Sequence, residues 1–248
     1  LQDAGWMEEV CLTSIGMYIK VPIREFEFWR RRGKELHSQN EAAVLSSDNF
    51  TNKSIIELGS GGGVNLFSLN DVASFVVGVE PMPIYNQMMG ILSMTLGVSK
   101  PVVVEASAEN LPIRNDSFDI AICYSSHQYM DISKAISEMS RVVKANGRVI
   151  ILGDTLFRFS KGTIKRFISD LDFGQLKYDL VSIVNTISYQ LSGRHLLYKS
   201  EGTTTNPIYP SFSYMKNLLQ NNQLRLDTTL TSTVSSGEYA FVASKINR

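Results

Sequence analysis

Hydrophobic runs alternate with amphipathic stretches through the middle of the chain. The runs occupy residues 53–58, 74–80, 101–105, 118–124 and 147–153. Between them, residues 63–70, 83–97 and 131–143 carry apolar positions at the spacing of helices that face a core. Strands that alternate with helices in this way form a parallel sheet with both faces covered. We therefore predict an α/β core over residues 51–154.

Three further segments precede or follow this core. Residues 1–50 have amphipathic helical patterning, with Pro22 placed for a first helical turn, and are predicted to form a helical lid. Residues 155–205 are too long for an ordinary loop and hold two predicted helices, at 161–171 and 176–191, which indicates an inserted cap. Residues 206–248 predict a helix and then a β-hairpin that turns at 235–237 and completes the core sheet.

The composition narrows the expected partners and compartment. The 248 residues include 24 Lys and Arg and 24 Asp and Glu, so the chain has no net charge; neither nucleic acid nor an anionic membrane is indicated, and a small or neutral substrate fits better. Cys11 and Cys123 are too few for a disulfide framework or a thiolate metal site, and they suit a reducing cytoplasm. Every apolar stretch is shorter than the ~20 residues of a membrane span. We expect a cytoplasmic protein with no metal site.

The segment ELGSGGG, residues 57–63, follows the first predicted strand. Because glycine has no Cβ, Gly59 and its neighbours allow a sharp turn and a close approach of the backbone to a ligand. Such a turn is typical of nucleotide sites but also occurs as a purely structural turn. Glu80 ends the second predicted strand about 20 residues later, the spacing at which an acid reaches the hydroxyl pair of a ribose. The two features together favour a nucleotide site with Glu80 on the ribose.

The positions of the glycines disfavour two common nucleotide motifs. A dinucleotide fingerprint counted from Gly59 or Gly61 needs glycine where Val64 or Leu66 stands, which disfavours a nicotinamide cofactor. A phosphate-binding P-loop needs a Gly-Lys pair followed by Ser or Thr, and this turn has neither at the required place, which disfavours ATP.

Five segments, in order, resemble one known family. ELGSGGG is similar to the glycine turn of that family, and Glu80 stands where the family has its ribose-binding acid. The segment ASAENLPIRNDSFD (106–119) is similar to the adenine segment, and FDIAICYSSHQYMD (118–131) is similar to the fourth strand and the turn that follows it. The segment RVVKANGRVIIL (141–152) is similar to the RVLKPGG signature. This family is the class I S-adenosylmethionine-dependent methyltransferases, in the ubiquinone/menaquinone-biosynthesis (methyltransferase type 11) group. The resemblance covers about residues 54–153. It implies a doubly wound, Rossmann-like sheet of seven mostly parallel strands with a C-terminal antiparallel hairpin strand.

The resemblance also implies a cofactor, a reaction and a set of contacts. The cofactor is S-adenosylmethionine, and a methyl group passes to a small-molecule acceptor by in-line displacement without a metal. Glu57 stands where the family usually has Asp and would hold the ligand's ammonium directly or through water. Ser107 also replaces a common Asp, so the bond to the adenine amino group comes from Ser107 or a backbone carbonyl, or is absent. The remaining implied contacts are Gly59, Ser60 and Gly61 at the methionine part, Glu80 at the ribose, Met82 and Ala108 at the adenine, and Tyr124 and Ser125 beside the sulfonium, with Pro81 and Glu109 also in the cofactor site.

Several alternatives stay open. His127, just past the fourth strand, is the candidate general base, and its alternative role is packing or hydrogen bonding within a loop. The other functions considered are a nucleoside-binding protein of the same fold without turnover and a nicotinamide-dependent oxidoreductase. A homodimer is also open. The aromatic residues of the insertion either line a pocket for an apolar or aromatic acceptor or form the insertion's own core: Phe157, Phe159, Phe167, Phe173, Tyr178 and Tyr189.

Overall fold

The structure, a computed structural model, describes residues 50–171, 173–194, 207–233 and 238–246. Their strands form one mixed sheet in the order β3-β2-β1-β4-β5-β8-β6, and the short β7 also pairs with β8. Strands β1 to β5 run parallel, whereas β8 runs antiparallel to β5, β6 and β7. The strands are β1 Ser54–Leu58, β2 Phe75–Val79, β3 Val102–Val104, β4 Phe118–Tyr124, β5 Val143–Asp154, β6 Leu224–Leu226, β7 Ser232–Thr233 and β8 Glu238–Lys245.

Helices flank this sheet, and a helical pair follows β5. The order confirms the predicted doubly wound fold with an antiparallel C-terminal strand. The predicted N-terminal helices and the turn at 235–237 lie outside the described residues. No helix in the described ranges is long and apolar enough to cross a bilayer. The helices are α1 Val64–Leu69, α2 Pro83–Leu96, α3 Ile132–Val142, α4 Leu156–Asp170, α5 Phe173–Ser192 and α6 Phe212–Asn221.

The sheet is buried on both faces, which explains why its strands are continuously apolar. Alternate residues of β1 point to opposite faces, so Ile56 and Leu58 join one core cluster while Ile55 joins the other. In β4, Ala121 belongs to the first cluster and Ile120 to the second. The central strands are therefore held from both sides, and their carboxyl ends have fixed positions.

Arg141 ties the loop before β4 to helix α3. Its guanidinium donates to both carboxylate oxygens of Glu138, at 2.7 Å each, and to the carbonyls of Leu111 and Ile113 at 3.1 and 2.7 Å. Glu138 in turn accepts from the amide of Leu111 at 2.6 Å. The arginine of the RVVKANG segment thus fixes the path of the predicted adenine segment on its way into β4.

The first arm of the predicted C-terminal hairpin is divided into two short strands, β6 and β7. Strands β6 and β7 pair with the same strand, β8, but a turn separates them. The carboxylate of Asp227 caps this turn by accepting from the amide of Thr229 at 2.9 Å. The Thr231 hydroxyl then bonds to the carbonyl and the amide of Val242, at 3.0 and 3.1 Å, where strand pairing would otherwise supply the partners. A threonine side chain therefore bridges the interruption.

Asp119 links three segments at the amino edge of the sheet. Its carboxylate accepts from the amide and hydroxyl of Ser54, at 2.8 and 2.7 Å, and from the Lys144 ammonium at 2.9 Å. Partial burial alone would raise the pKa of Asp119, but these hydrogen bonds outweigh burial and lower the pKa to about 2. The charged carboxylate therefore stabilises the folded state.

We expect Asp119→Asn to lower the free energy of unfolding at pH 7 by on the order of 1 kcal/mol, a figure reduced for the partial exposure of the group. Because folding lowers this pKa, the contribution is complete above about pH 4 and is lost as the pH falls toward 2. Urea unfolding between pH 7 and pH 3 should therefore give a shallower pH dependence for the variant. Asp116→Asn is a matched control, because Asp116 also pairs with a lysine, Lys245, but its carboxylate is more exposed than that of Asp119. Equal losses in the two variants would contradict the prediction.

Candidate functional site

The carboxyl end of β1 lies at the point where the sheet reverses its winding. β1 pairs with β2 on one side and with β4 on the other, so the loops after these three strands meet at one edge. In open parallel sheets, ligands bind outside the carboxyl ends of the strands at such a switch point. Residues predicted to bind the cofactor follow each of these strands.

The glycine turn after β1 is folded tightly over the end of β2. The amides of Gly59 and Ser60 both donate to the carbonyl of Val79, at 2.8 and 3.1 Å. Gly59 has a φ of 68° and Gly61 a φ of 50°, in the left-handed region that glycine adopts at little cost. A Cβ on Gly59 would lie 2.4 Å from the Cβ of Ser126, so a side chain there would collide with the loop after β4. The turn keeps its backbone in close contact with the neighbouring loop.

Glu80 joins the loops that follow β1 and β2. Its side chain is buried, with one carboxylate oxygen accepting from the amide of Gly61 at 3.1 Å and the other from the amide of Met82 at 3.0 Å. Its own amide donates to the carbonyl of Val104 in β3 at 3.1 Å. A carboxylate group is thereby fixed at the end of β2, beside the glycine turn.

Glu57 and Ser60 are both buried beneath the turn. Glu57 is 2% exposed, and one of its carboxylate oxygens accepts from the side-chain amide of Asn65 in α1. A Cβ on Gly78 would lie 2.5 Å from the Ser60 hydroxyl, so that hydroxyl packs against the sheet. Ser60 therefore contributes its backbone, and not its hydroxyl, to the shape of the turn.

The loop after β4 carries a serine that the sequence analysis missed. The Ser126 hydroxyl lies 2.9 Å from the carbonyl of Gly59 and 2.8 Å from that of Tyr124, and so connects the two loops. Ser125, which was predicted, has a left-handed φ of 51°, and its amide donates to the carbonyl of Leu152 at 2.8 Å. The only signal in the sequence for a role of Ser126 was its position next to the predicted site residues Tyr124 and Ser125.

The predicted adenine segment follows β3 along the same edge. Ser107 is exposed and its hydroxyl donates to Glu109, whereas Ala108 is buried. Glu109 also accepts from the amide of Asp131 at 2.8 Å, which fixes the segment to the start of α3. In the loop after β2, Pro81 is exposed and Met82 half-buried.

His127 is enclosed by neighbouring residues. The ring is 2% exposed, and its Nε2 is hydrogen-bonded to the hydroxyl of Tyr239 in β8. A Cβ on Gly153 would lie 2.4 Å from its Cε1, so the ring rests on β5. Burial lowers the pKa of His127 to about 4 and raises that of Tyr239 well above its usual value, so both groups are neutral near pH 7. These contacts favour a packing role, and the role of general base stays a prediction.

Cys123 of β4 lies close to Glu57 and Ser126. Burial, followed by the nearby charge of Glu57, raises the pKa of Cys123 to about 12, so its thiol stays neutral and is a poor nucleophile. Within the described part of the chain, no three His, Cys, Asp or Glu residues are grouped so that they could hold a metal ion. Backbone amides and the carboxyl groups of Glu57 and Glu80 lie together at this edge, a combination that suits a nucleoside with a charged amino-acid tail.

Comparisons with known proteins agree with this architecture. Residues 56–151 match a family model described as a methyltransferase domain. The ubiquinone/menaquinone biosynthesis C-methyltransferase UbiE of Campylobacter jejuni is 25% identical over 199 residues, which cover 80% of this chain and 71% of that protein. YcgJ of Bacillus subtilis, an uncharacterized methyltransferase, is 28% identical over 99 residues, but the match spans only 40% of this chain and 39% of that relative.

A solved structure shares the fold. The crystal structure of an S-adenosylmethionine-dependent methyltransferase from Aquifex aeolicus aligns with a TM-score of 0.58 and 11% sequence identity, covering 91% of this chain and 98% of that one. The matched range, residues 56–151, contains the glycine turn, Glu80 and the loop after β4. Residues 56–151 therefore match a methyltransferase domain, and the relatives and the shared fold support a class I S-adenosylmethionine-dependent methyltransferase of the type 11 group, with S-adenosylmethionine as its cofactor.

Proposed function

We propose that this protein transfers the methyl group of S-adenosylmethionine to a small-molecule acceptor by in-line displacement. The observation that carries the proposal is the buried carboxylate of Glu80, which the amides of Gly61 and Met82 hold beside the glycine turn. A fixed carboxylate at the end of β2 has the position and chemistry that a ribose diol requires. The relative from Campylobacter is named for ubiquinone and menaquinone biosynthesis, which also supports a small molecule as acceptor.

The parts of the cofactor are assigned to the three loops in turn. The backbone of Gly59, Ser60 and Gly61 lines the methionine part, and the Glu57 carboxylate faces its ammonium. The backbone segment and the Glu57 carboxylate serve different purposes: the backbone contacts select the shape of the ligand, and the carboxylate selects its positive charge. The remaining contacts are Glu80 and Pro81 at the ribose, Met82, Ser107, Ala108 and Glu109 around the adenine, and Tyr124 and Ser125 beside the sulfonium.

The acceptor is assigned to the region beyond β4 and β5. Tyr209 stacks on Phe159 with 4.1 Å between ring centroids, and its amide donates to the Thr186 hydroxyl of α5 at 3.0 Å. Burial, and then the nearby Tyr129, Tyr178, Asp154 and Asp179, raises the pKa of Tyr209. Aromatic rings and carboxylates thus adjoin the end of β5, a combination that suits a flat acceptor with polar substituents.

Alignment of the reactants supplies most of the catalysis in this proposal. The sulfonium carries an already activated methyl group, so the protein needs no covalent nucleophile. In-line displacement requires the acceptor atom about 3 Å from the methyl carbon, opposite the leaving sulfur, and holding that geometry accounts for a large part of the barrier reduction. His127 is placed to support Tyr239 and the loop after β4, and its role as general base stays a prediction.

A labelled-methyl assay tests the reaction. Incubation with a cell extract and S-adenosylmethionine labelled in the methyl group should move the label into molecules smaller than about 1 kDa. Label in protein or nucleic acid would refute the acceptor class, and a chirally labelled methyl should arrive inverted, since retention would refute a single in-line displacement. Glu80→Ala protein is the control for transfer by other enzymes in the extract.

Replacing Glu80 by alanine should weaken binding of S-adenosylmethionine by roughly 1.5–3 kcal/mol, the scale of hydrogen bonds lost from a charged group. Isothermal titration calorimetry with S-adenosylmethionine and S-adenosylhomocysteine measures the change, and NAD serves as a negative ligand. Glu105→Ala removes an exposed carboxylate from the end of β3 and should leave the affinity unchanged. Unaltered binding by Glu80→Ala would remove this residue from the ribose site.

Replacing His127 by glutamine should leave the shape of the pH–rate profile between about pH 6 and pH 8 unchanged, because an imidazole with a pKa of about 4 does not titrate there. Loss of the bond to Tyr239 should instead lower the melting temperature. Steady-state rates and thermal unfolding on the same samples check both effects. An inflection that is present in the wild-type profile and absent from that of the variant would instead identify His127 as the general base.

A further inference from the structure

Helix α5 has the reverse of the usual polarity. Its buried face carries polar residues, since Asp179, Ser182, Asn185 and Thr186 are all at most 1% exposed. Its outward face carries large apolar residues. Their exposed fractions range from 40% to 84%: Phe173, Leu180, Val184, Ile187 and Leu191.

The buried face is fixed to the core, so the helix cannot rotate to hide its apolar side. The Tyr189 hydroxyl donates to Asp131 at 3.1 Å, and the Thr186 hydroxyl accepts from the amide of Tyr209 at 3.0 Å. The side chain of Gln190 accepts from the amide of Ser211 at 2.8 Å. Contacts to the loop after β4 and to the segment before α6 therefore determine which face points outward.

The exposed residues on both helices of the pair follow a heptad spacing. On α5, steps of four and three residues alternate from Phe173 to Leu191, with the exposed Lys177 occupying one position of the series. On α4 and the residue after it, the same alternation runs through Phe157, Lys161, Ile164, Ile168 and Leu171, all exposed. This 3.5-residue repeat is the one that packs one helix against another in bundles.

The exposed apolar area is large enough for a stable interface. The nine apolar residues of the two stripes together expose on the order of 1,000 Å², more than the largest apolar patch of a typical monomer. A stable protein interface buries about 800 Å² from each partner. The two stripes together therefore expose about as much area as one side of a standard-size interface.

We propose that α4 and α5 form a self-association surface, on which the same two helices of a second copy pack to give a four-helix bundle. A helical pair with two exposed heptad stripes can be covered by the same helical pair of a second copy. In a dimer with a two-fold axis, each copy covers the stripes of the other, so none stays exposed to solvent. Lys161 and Lys177 lie within the stripes, where a single polar position fixes the register of a bundle.

Sedimentation velocity of the full chain at micromolar concentration tests the proposal. The wild type should sediment as a dimer, and Leu180→Lys combined with Ile187→Lys should weaken dimerisation by about 100-fold or more, as expected when two central interface residues are lost. Met94→Lys is the control, because Met94 is 76% exposed on α2, outside the stripes. Since both replaced residues are about half exposed, the double variant should keep the wild-type circular dichroism spectrum.

Two results would overturn the proposal. One is a wild-type monomer at about 50 μM, well above the dissociation constants of stable interfaces of this size. The other is a dimer that the double variant does not weaken, since the contact would then lie elsewhere. A monomer that cosediments with phosphatidylcholine–phosphatidylglycerol vesicles would assign the surface to lipid instead.

Discussion

The carboxyl end of β1 imposes the constraint on which the rest of the structure depends. This strand is paired on both sides and buried on both faces, so the chain can leave it only by turning over the end of a neighbour. Two successive amides, of Gly59 and Ser60, share the carbonyl of Val79, and the left-handed φ of Gly59 makes that possible. The turn then brings the amide of Gly61 to Glu80 and the carbonyl of Gly59 to Ser126. One backbone requirement thus positions the groups of three loops.

The features that the sequence predicted are those with a local physical cause. Continuous apolar runs predicted the parallel strands because both faces of the sheet are buried, and β4 was predicted to the residue. The turn after β1 was predicted from its glycines, and the position of Glu80 from its distance along the chain. The start of α4 was placed too late, at residue 161, because its signal is the single cap Thr155, whose side chain accepts from the amide of Arg158. Short-range patterns thus identified most of the sheet and the edge that holds the site.

The features that the sequence did not predict depend on residues far apart in the chain. Nothing near His127 indicates that Tyr239 will reach its ring from another strand, so the burial that sets its pKa was not visible. The sequence likewise did not show which aromatic residues of the insertion contact the rest of the protein and which are exposed. Phe159 stacks on Tyr209 and Tyr189 bonds to Asp131, whereas Phe157 and Phe173 point outward. Heptad spacing is visible in the sequence, but the direction in which the stripes point is set by contacts to the loop after β4.

The bond between Tyr239 and His127 has a consequence for the order in which the protein becomes functional. β8 follows every other described strand in the chain, yet it lies between β5 and β6 in the sheet and supplies the residue that supports the loop after β4. During synthesis, β1 to β5 leave the ribosome first and can pair with one another while that loop still lacks its support. A nascent chain can therefore form the glycine turn and its bond to Glu80 before the loop after β4 gains this support. The two sides of the candidate site would then form one after the other, the glycine turn first and the loop after β4 last.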